Sequence, residues 1–234
     1  MTPSSPTWLG TNPLESLGIP GGWSERKQVI GNHCFELLAP ADPVEFLNQL
    51  DESAAAHVAD PYWAAIWSAA PALAECVARK RWPPDASALE LGCGVGLAGL
   101  AALAAGISVT FSDYIPLAVS LAVENAHRNG FTTATGLHLD WTDPPTLKPF
   151  PLVLASDVLY EKQLHANLLT TLDVVLSTDG ECWIGDPLRS SATDFARLAR
   201  QRGYDVTIDG GDAGRSDTDS EAGFQLLILR HGST

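Results

Sequence analysis

The residues whose types and spacing can do chemistry lie between Ala88 and Asp113, in the stretch A-L-E-L-G-C-G-V-G-L-A-G-L-A-A-L-A-A-G-I-S-V-T-F-S-D. Gly92, Gly94 and Gly96 alternate along it. Backbone without Cβ atoms turns sharply and lets a ligand approach closely. An alanine-rich helical pattern, Leu97 to Ala105, follows the glycines and stops at Gly106. The start of such a helix offers free N–H groups and a partial positive potential. Asp113 ends a second β-type run, Val109 to Phe111, and an acid there can accept hydrogen bonds from two ribose hydroxyls. Strand, glycine turn, helix, strand and acid in this order hold a nucleoside-containing cofactor. The plain alternative is a βαβ core unit with a glycine-rich turn. Spacing alone leaves the cofactor open, because Gly94-Val-Gly96-Leu-Ala-Gly99 also satisfies the G-x-G-x-x-G pattern of a nicotinamide dinucleotide site.

In open α/β sheets ligands sit beyond the carboxyl ends of the strands. The expected strand Thr135–Leu139 ends at Asp140-Trp141. Trp141 can cover one face of an adenine, and Asp140 can accept from its exocyclic amine. Trp141 can equally be a rim aromatic. The apolar strand Leu152–Ala155 ends at Ser156-Asp157-Val158-Leu159-Tyr160. Asp157 can act on a substrate or cap the helix that follows. Upstream, Asp60-Pro61 is a helix start, with Asp60 as N-cap. Trp63 and Trp67, four apart, then share a face of a helix expected to run to Val77, kinked or split at Pro71. Either tryptophan can be a core filler. An aromatic face ahead of the glycines can also meet a cation.

The elements that must position these residues alternate β and α. After Asp113 a helix spans Pro116–Asn129, closed by Gly130. Leu164, Leu168, Leu172 and Val175 mark another helix, and Asp179-Gly180 turns into a strand over Cys182–Gly185. Ser191-x-x-Asp194 reads as a capping box opening a helix to Arg202. Tyr204–Ile208 and Phe224–Leu229 are strands joined by the acidic, glycine-rich loop Asp209–Gly223. Alternation implies a parallel sheet with helices on both faces. The last two strands have no helix between them, so they pair antiparallel. Ahead of this core, residues 83–234, lie a Pro/Ser/Thr/Gly-rich mobile arm at 1–25 and an extension at 26–82. The extension holds a hairpin around Gly31-Asn32 and a short helix from Asp42-Pro43 to Leu50.

A net charge of −14 argues against binding a nucleic-acid backbone and suits a basic partner such as a lysine-bearing protein surface. No apolar run is long enough for a bilayer, and the N-terminus shows no secretory pattern. Four scattered cysteines, Cys34, Cys76, Cys93 and Cys182, form no metal-ligand or disulfide pattern and suit a reducing cytoplasm.

Glu90-Leu91-Gly92-Cys93-Gly94-Val95-Gly96 resembles motif I of the class I, seven-β-strand methyltransferases. Asp157-Val158-Leu159-Tyr160 resembles the D-x-x-Y motif of their protein-lysine methyltransferase group. Pro61-Tyr62-Trp63-Ala64 and Gly185-Asp186-Pro187-Leu188-Arg189 look most like the branch that acts on electron-transfer flavoprotein β-subunit. Ser68-Ala69-Ala70 departs from that branch, which usually has a glycine there. The resemblance implies an α/β, Rossmann-like, seven-stranded sheet, mostly parallel with an antiparallel last strand. It implies S-adenosyl-L-methionine as cofactor, held by Trp67, Gly92, Cys93, Gly94, Gly96, Asp113, Asp140, Trp141 and Ser156. Asp157 and Tyr160 are the implied catalytic residues, with no metal. The expected reaction is methyl transfer to a lysine ε-amine of a protein, by a cytoplasmic monomer that binds neither nucleic acid nor membrane. A small-molecule N- or O-methyltransferase and a non-catalytic binding module on the same fold are the alternatives.

Overall fold

The computed structural model describes residue 19 and residues 21–42, 61–210 and 223–232. Strands β1 (Trp23–Ile30) and β2 (His33–Pro40) form the expected hairpin, turning at Gly31-Asn32. β1 begins inside the expected arm. The helix expected from Asp42 to Leu50, the N-cap residue Asp60 and most of the 209–223 loop lie outside the described residues.

The helix expected to run from Pro61 to Val77 is two pieces. Pro61–Ala64 makes one 3-10 turn, and α1 begins only at Ala69 and runs to Arg79. Pro71 therefore falls in the first turn of α1, where backbone N–H groups lack intrahelical partners, and it neither kinks nor splits the helix. The gap also separates the two tryptophans, which do not share a face. Trp63 is 7% exposed and packs with Leu38, Val95 and Ile115, whereas Trp67 is 40% exposed.

The core runs β3 (Ser87–Leu91), α2 (Leu97–Ala104), β4 (Ser108–Asp113), α3 (Pro116–Arg128) and β5 (Thr135–His138). It continues through β6 (Phe150–Ser156), α4 (His165–Val175), β7 (Leu176–Asp186), α5 (Ser190–Gln201), β8 (Tyr204–Gly210) and β9 (Gln225–His231). The seven-stranded sheet has the order β5-β4-β3-β6-β7-β9-β8. Only β9 is antiparallel, pairing with both β7 and β8, so the antiparallel strand is last in the chain but one in from the edge. Strand side chains alternate between faces. Ala88, Leu152 and Leu154 meet α1, α2 and α3 on one side. Leu89, Leu91, Val153 and Ala155 meet α4 and α5 on the other. Burial on both faces explains why these strands read as continuous apolar runs.

The Ser191-x-x-Asp194 capping box is not formed. Arg189 is the N-cap of α5, and Ser191 already lies inside its first turn, where its hydroxyl cannot cap. Asp194 instead pairs with Lys162 and Arg197 at the surface. Among the described residues no helix is long and apolar enough to cross a membrane.

Two asparagines four apart on α3 anchor the hairpin. Asn125 Oδ1 accepts from the Leu38 N–H at 2.7 Å, and its Nδ2 donates to the carbonyls of Leu38 and Val95. Asn129 repeats the pairing with the N–H and carbonyl of Glu36. Each side-chain amide stands where a neighbouring strand's peptide would. Because Val95 belongs to the glycine turn, the hairpin and that turn share one buried anchor.

Candidate functional site

The carboxyl ends of β3, β4, β5 and β6, with the segment ahead of α1, enclose a cavity of about 430 Å³. One wall carries Gly92, Cys93 and Gly94 from the glycine turn, Asp113 from β4, and Asp140 and Trp141 from beyond β5. The other carries Trp67, Ser156, Asp157 and Tyr160. Gly96 is the one expected site residue that the fold keeps away from the cavity. It is the N-cap of α2, where an added Cβ would stand 2.8 Å from the Ala122 methyl. Its role is close packing of α2 on the sheet and α3.

The glycine turn is pinned at both ends. The Cys93 N–H donates to the Ser112 carbonyl at 2.9 Å, and the Gly96 N–H donates to the Cys93 carbonyl at 2.7 Å. Gly94, at φ 49°, has a left-handed backbone, and a Cβ there would stand 2.9 Å from the Trp63 carbonyl oxygen. The turn thus passes directly under the 3-10 segment that carries Trp63. Asp113 holds the turn from the side: Oδ2 accepts from the Gly94 N–H at 3.1 Å, and Oδ1 accepts from the Ile115 N–H at 2.9 Å. The carboxylate lines the cavity beside these two contacts. Asp140 Oδ1 takes the N–H and hydroxyl of Thr142, which fixes the turn that presents Trp141. The Trp141 ring lies 3.8 Å from where a Gly92 Cβ would be, so it overhangs the turn.

Sequence reasoning passed over Glu90, although it begins the motif. Its side chain is buried at the cavity floor, where Oε2 accepts from the Gly99 N–H at 3.0 Å. Burial pushes its carboxyl up to about 8, the Gly99 N–H opposes this, and the nearby Asp113 charge adds to it. A folded-state value above the unfolded one means the folded chain binds the proton more tightly. Stability from this group is therefore present at low pH and is lost as pH rises through about 8. Glu90→Gln keeps an acceptor for Gly99 without the proton. We expect the thermal midpoint of the wild type to fall relative to that of the variant between pH 5 and pH 9, scanned by circular dichroism; parallel curves would refute the assignment.

Asp157 has a left-handed backbone, at φ 60°. Its carboxylate does not cap the helix that follows it. Oδ2 accepts from the N–H of Ala69, the first residue of α1, across 88 positions of sequence at 2.9 Å. Oδ1 faces Arg189 Nη2 at 2.9 Å in an ion pair. Burial raises the Asp157 carboxyl above its ordinary range, and Arg189 opposes the rise. Tyr160 lies in a turn ahead of α4 and not one helical turn from Asp157. Its ring meets Tyr62 at 5.8 Å, and Tyr62 in turn meets Trp67 at 5.8 Å. These three exposed aromatics form the lip of the cavity. Tyr62 was not foreseen, because the break after Ala64 brings it back over Trp67: the Trp67 indole N–H donates to the Tyr62 carbonyl at 2.7 Å.

Asp113 and Asp140 give the cavity an acidic wall, and among the described residues no lysine, arginine or histidine lines it; Glu90 keeps its proton up to about 8, and Asp157 is paired with Arg189. That charge pattern suits a cation. It offers a pyrophosphate no side-chain cation among the described residues.

The family model described as "Lysine methyltransferase" matches residues 41–198, more than half of the chain. The chain belongs to the lysine methyltransferase family. A lysine methyltransferase of electron transfer flavoprotein beta subunit from Danio rerio is 31% identical over 141 residues, covering 58% of this chain and 53% of that protein. A histone-arginine methyltransferase, METTL23 from Rattus norvegicus, is 29% identical over 114 residues, covering 46% of this chain and 51% of that protein. The chain spans about half the length of the curated relatives it matches. Among solved structures, a putative transferase from Pyrococcus horikoshii superposes with a TM-score of 0.58 at 16% identity, covering 89% of this chain and 72% of that one.

The cofactor of this lysine methyltransferase family member is S-adenosyl-L-methionine. The residues present fit it. The molecule carries a sulfonium and an ammonium, which the acidic, base-free wall accommodates. Its ribose hydroxyls are matched by the Asp113 carboxylate, an acceptor in the cavity lining, and its adenine by the Trp141 ring beside Asp140. Asp113→Ala should weaken S-adenosylhomocysteine binding by about 1.5–3 kcal/mol, the worth of a hydrogen bond to a charged group. Calorimetric affinity equal to the wild type would remove Asp113 from the ribose site.

Proposed function

We propose that this chain transfers a methyl group to a lysine ε-amine of a protein, acting as a monomer in the cytoplasm. The observation that carries the reading is the juxtaposition of Asp157 and Tyr160 with Tyr62 and Trp67 at the open end of an acidic, base-free cavity. A lysine side chain is long, flexible and cationic. Aromatic rings flank its apolar stem and attract its ammonium, and the carboxylates beyond favour its approach.

S-adenosylmethionine, when bound, supplies an electrophilic methyl group. The chain's own work is positioning, since an in-line displacement gains most from fixed geometry. Asp113 and the glycine turn hold the cofactor side. Tyr160 and Tyr62 wall the acceptor side. Asp157 keeps one lone pair on each oxygen beyond its bonds to Ala69 and Arg189, and it orients the acceptor amine through one of them. The amine must be neutral to attack, so a proton leaves to solvent through the open lip before transfer. The net charge of −14 favours encounter with a basic protein surface over a nucleic-acid backbone.

Incubating the chain with tritium-labelled S-adenosylmethionine and a cell lysate, then locating the label by mass spectrometry, tests the proposal. Label on lysine of a protein band supports it. Label on arginine would align the chain with the relatives named for that residue. Label only in small molecules would favour the N- or O-methyltransferase alternative, and no label with intact cofactor binding would favour a binding module.

A further inference from the structure

Arg189 lies outside the cavity lining, yet it joins the parts that shape it. Its Nη2 meets Asp157 Oδ1 at 2.9 Å, and its Nη1 meets Asp186 Oδ2 at 3.2 Å. The Arg189 backbone N–H also donates to Asp186 Oδ1 at 2.7 Å, and Gln225 Nε2 donates to the same oxygen. Asp186 is fully buried at the end of β7, and Gln225 begins β9. One guanidinium thus sits between two buried carboxylates from adjacent strand ends. Asp157 Oδ1 is held by that charge contact, without an aligned hydrogen bond of its own.

The other Asp157 oxygen supports α1. Ser68 gives that helix no side-chain cap, and the first N–H of α1 instead reaches Asp157 Oδ2. Trp67 is two residues before Ala69. It is tied on its other side to the Tyr62 carbonyl. Two non-glycine residues take left-handed backbones among the described residues, Asp157 at φ 60° and Leu188 at φ 62°. Both flank the Arg189 contact. Unfavourable backbone persists where surrounding contacts over-determine it, and here the contacts are those of the clamp.

We infer that Arg189 is a positioning residue: it holds Asp157 against the start of α1 and thereby sets where Trp67 stands over the cofactor cavity. The inference rests on the reading that this cavity binds S-adenosylmethionine. Its physical content is that Arg189 works by compensating the Asp157 charge. Removing the guanidinium leaves two buried carboxylates facing each other, and Asp157 then turns from Ala69 toward solvent. Removing the Asp157 charge as well restores balance, because an asparagine carbonyl still accepts from the Ala69 N–H.

S-adenosylhomocysteine titrations of Arg189→Met, Arg189→Lys and the double variant Arg189→Met/Asp157→Asn test this. Arg189→Met should bind about tenfold more weakly than the wild type, the loss of one charge-assisted contact. The double variant should recover most of that loss, and Arg189→Lys should fall between. A purely structural loss would instead add to the second substitution. Hydrogen exchange of the Ala69 amide in the ligand-free chain reads the clamp directly: faster in Arg189→Met, slower again in the double variant. Wild-type affinity in Arg189→Met, or a double variant no better than the single one, overturns the inference. Should Arg189→Met not fold, Arg189→Lys with and without Asp157→Asn carries the same comparison. If the wild type itself fails to bind S-adenosylhomocysteine, the cofactor reading fails, and the Ala69 exchange still decides the clamp.

Discussion

Gly94→Val should weaken S-adenosylhomocysteine binding about a hundredfold or more in a chain that still folds. Three effects add. At φ 49° a β-branched residue is a backbone outlier, which costs about 1–2 kcal/mol. The new Cβ would stand 2.9 Å from the Trp63 carbonyl oxygen, so either the turn or the 3-10 segment must move. Movement of the turn also withdraws the Gly94 N–H from Asp113 Oδ2, the residue assigned to the ribose. The two valine methyls then occupy space that the cofactor needs. Roughly a hundredfold loss or more follows if these sum to about 3 kcal/mol. Gly106→Val is the control. Gly106 also has a positive φ, at 87°, but an added Cβ meets nothing within 4 Å and the residue is remote from the cavity. It should lower the thermal midpoint and leave calorimetric affinity unchanged. Normal cofactor binding by a folded Gly94→Val chain would reduce the turn to a structural feature.

Asp157→Ala should cost about 2–3 kcal/mol of stability, whereas Asp157→Asn should cost much less. Deleting one partner of a fully buried pair typically costs 3–5 kcal/mol. The figure is discounted here because the Arg189 side chain is 26% exposed and keeps Asp186. Alanine also leaves the first N–H of α1 without its acceptor and fits a left-handed backbone poorly. Asparagine tolerates that backbone and keeps a carbonyl for Ala69. For a domain of this size the alanine variant should melt about 4–12 °C lower. Turnover separates the two roles of the residue. If Asp157 orients the acceptor amine through its charge, Asp157→Asn should stay folded and bind S-adenosylhomocysteine, yet methylate slowly in single turnovers. A wild-type rate in Asp157→Asn would confine Asp157 to bracing α1.

Much of this protein was legible in the chain because its information is local. The order strand, alternating glycines, helix, strand and acid depends on residues within a few positions of one another. Apolar runs of strand length marked six strands of the sheet to within a few residues, but β7 begins at Leu176, six residues ahead of the expected Cys182, and runs through the Asp179-Gly180 pair expected as a turn. Strand ends then named the cavity residues in advance, since open α/β sheets put ligands at their carboxyl edge. Gly96 shows where that logic stops: motif membership did not distinguish a glycine that faces the cavity from one that packs against Ala122.

What only the tertiary structure decided were contacts between residues far apart in sequence. The helix pattern from Pro61 to Val77 carried no local sign of its break. The break exists because Trp63 is drawn into the cluster with Leu38, Val95 and Ile115, while the start of α1 is held by Asp157. Asp157 was expected to act near its own position and instead acts 88 residues away. Arg189 looked like one more residue of a resembling motif, and its meaning comes from facing Asp157 and Asp186 together. Glu90 had an apolar strand around it, yet only burial over the whole domain raises its proton affinity. Backbone preference and hydrophobic period act over a few residues, so a sequence displays them. The charge environment of a carboxylate depends on every neighbour that folding brings within a few ångströms, and no short stretch of chain records that.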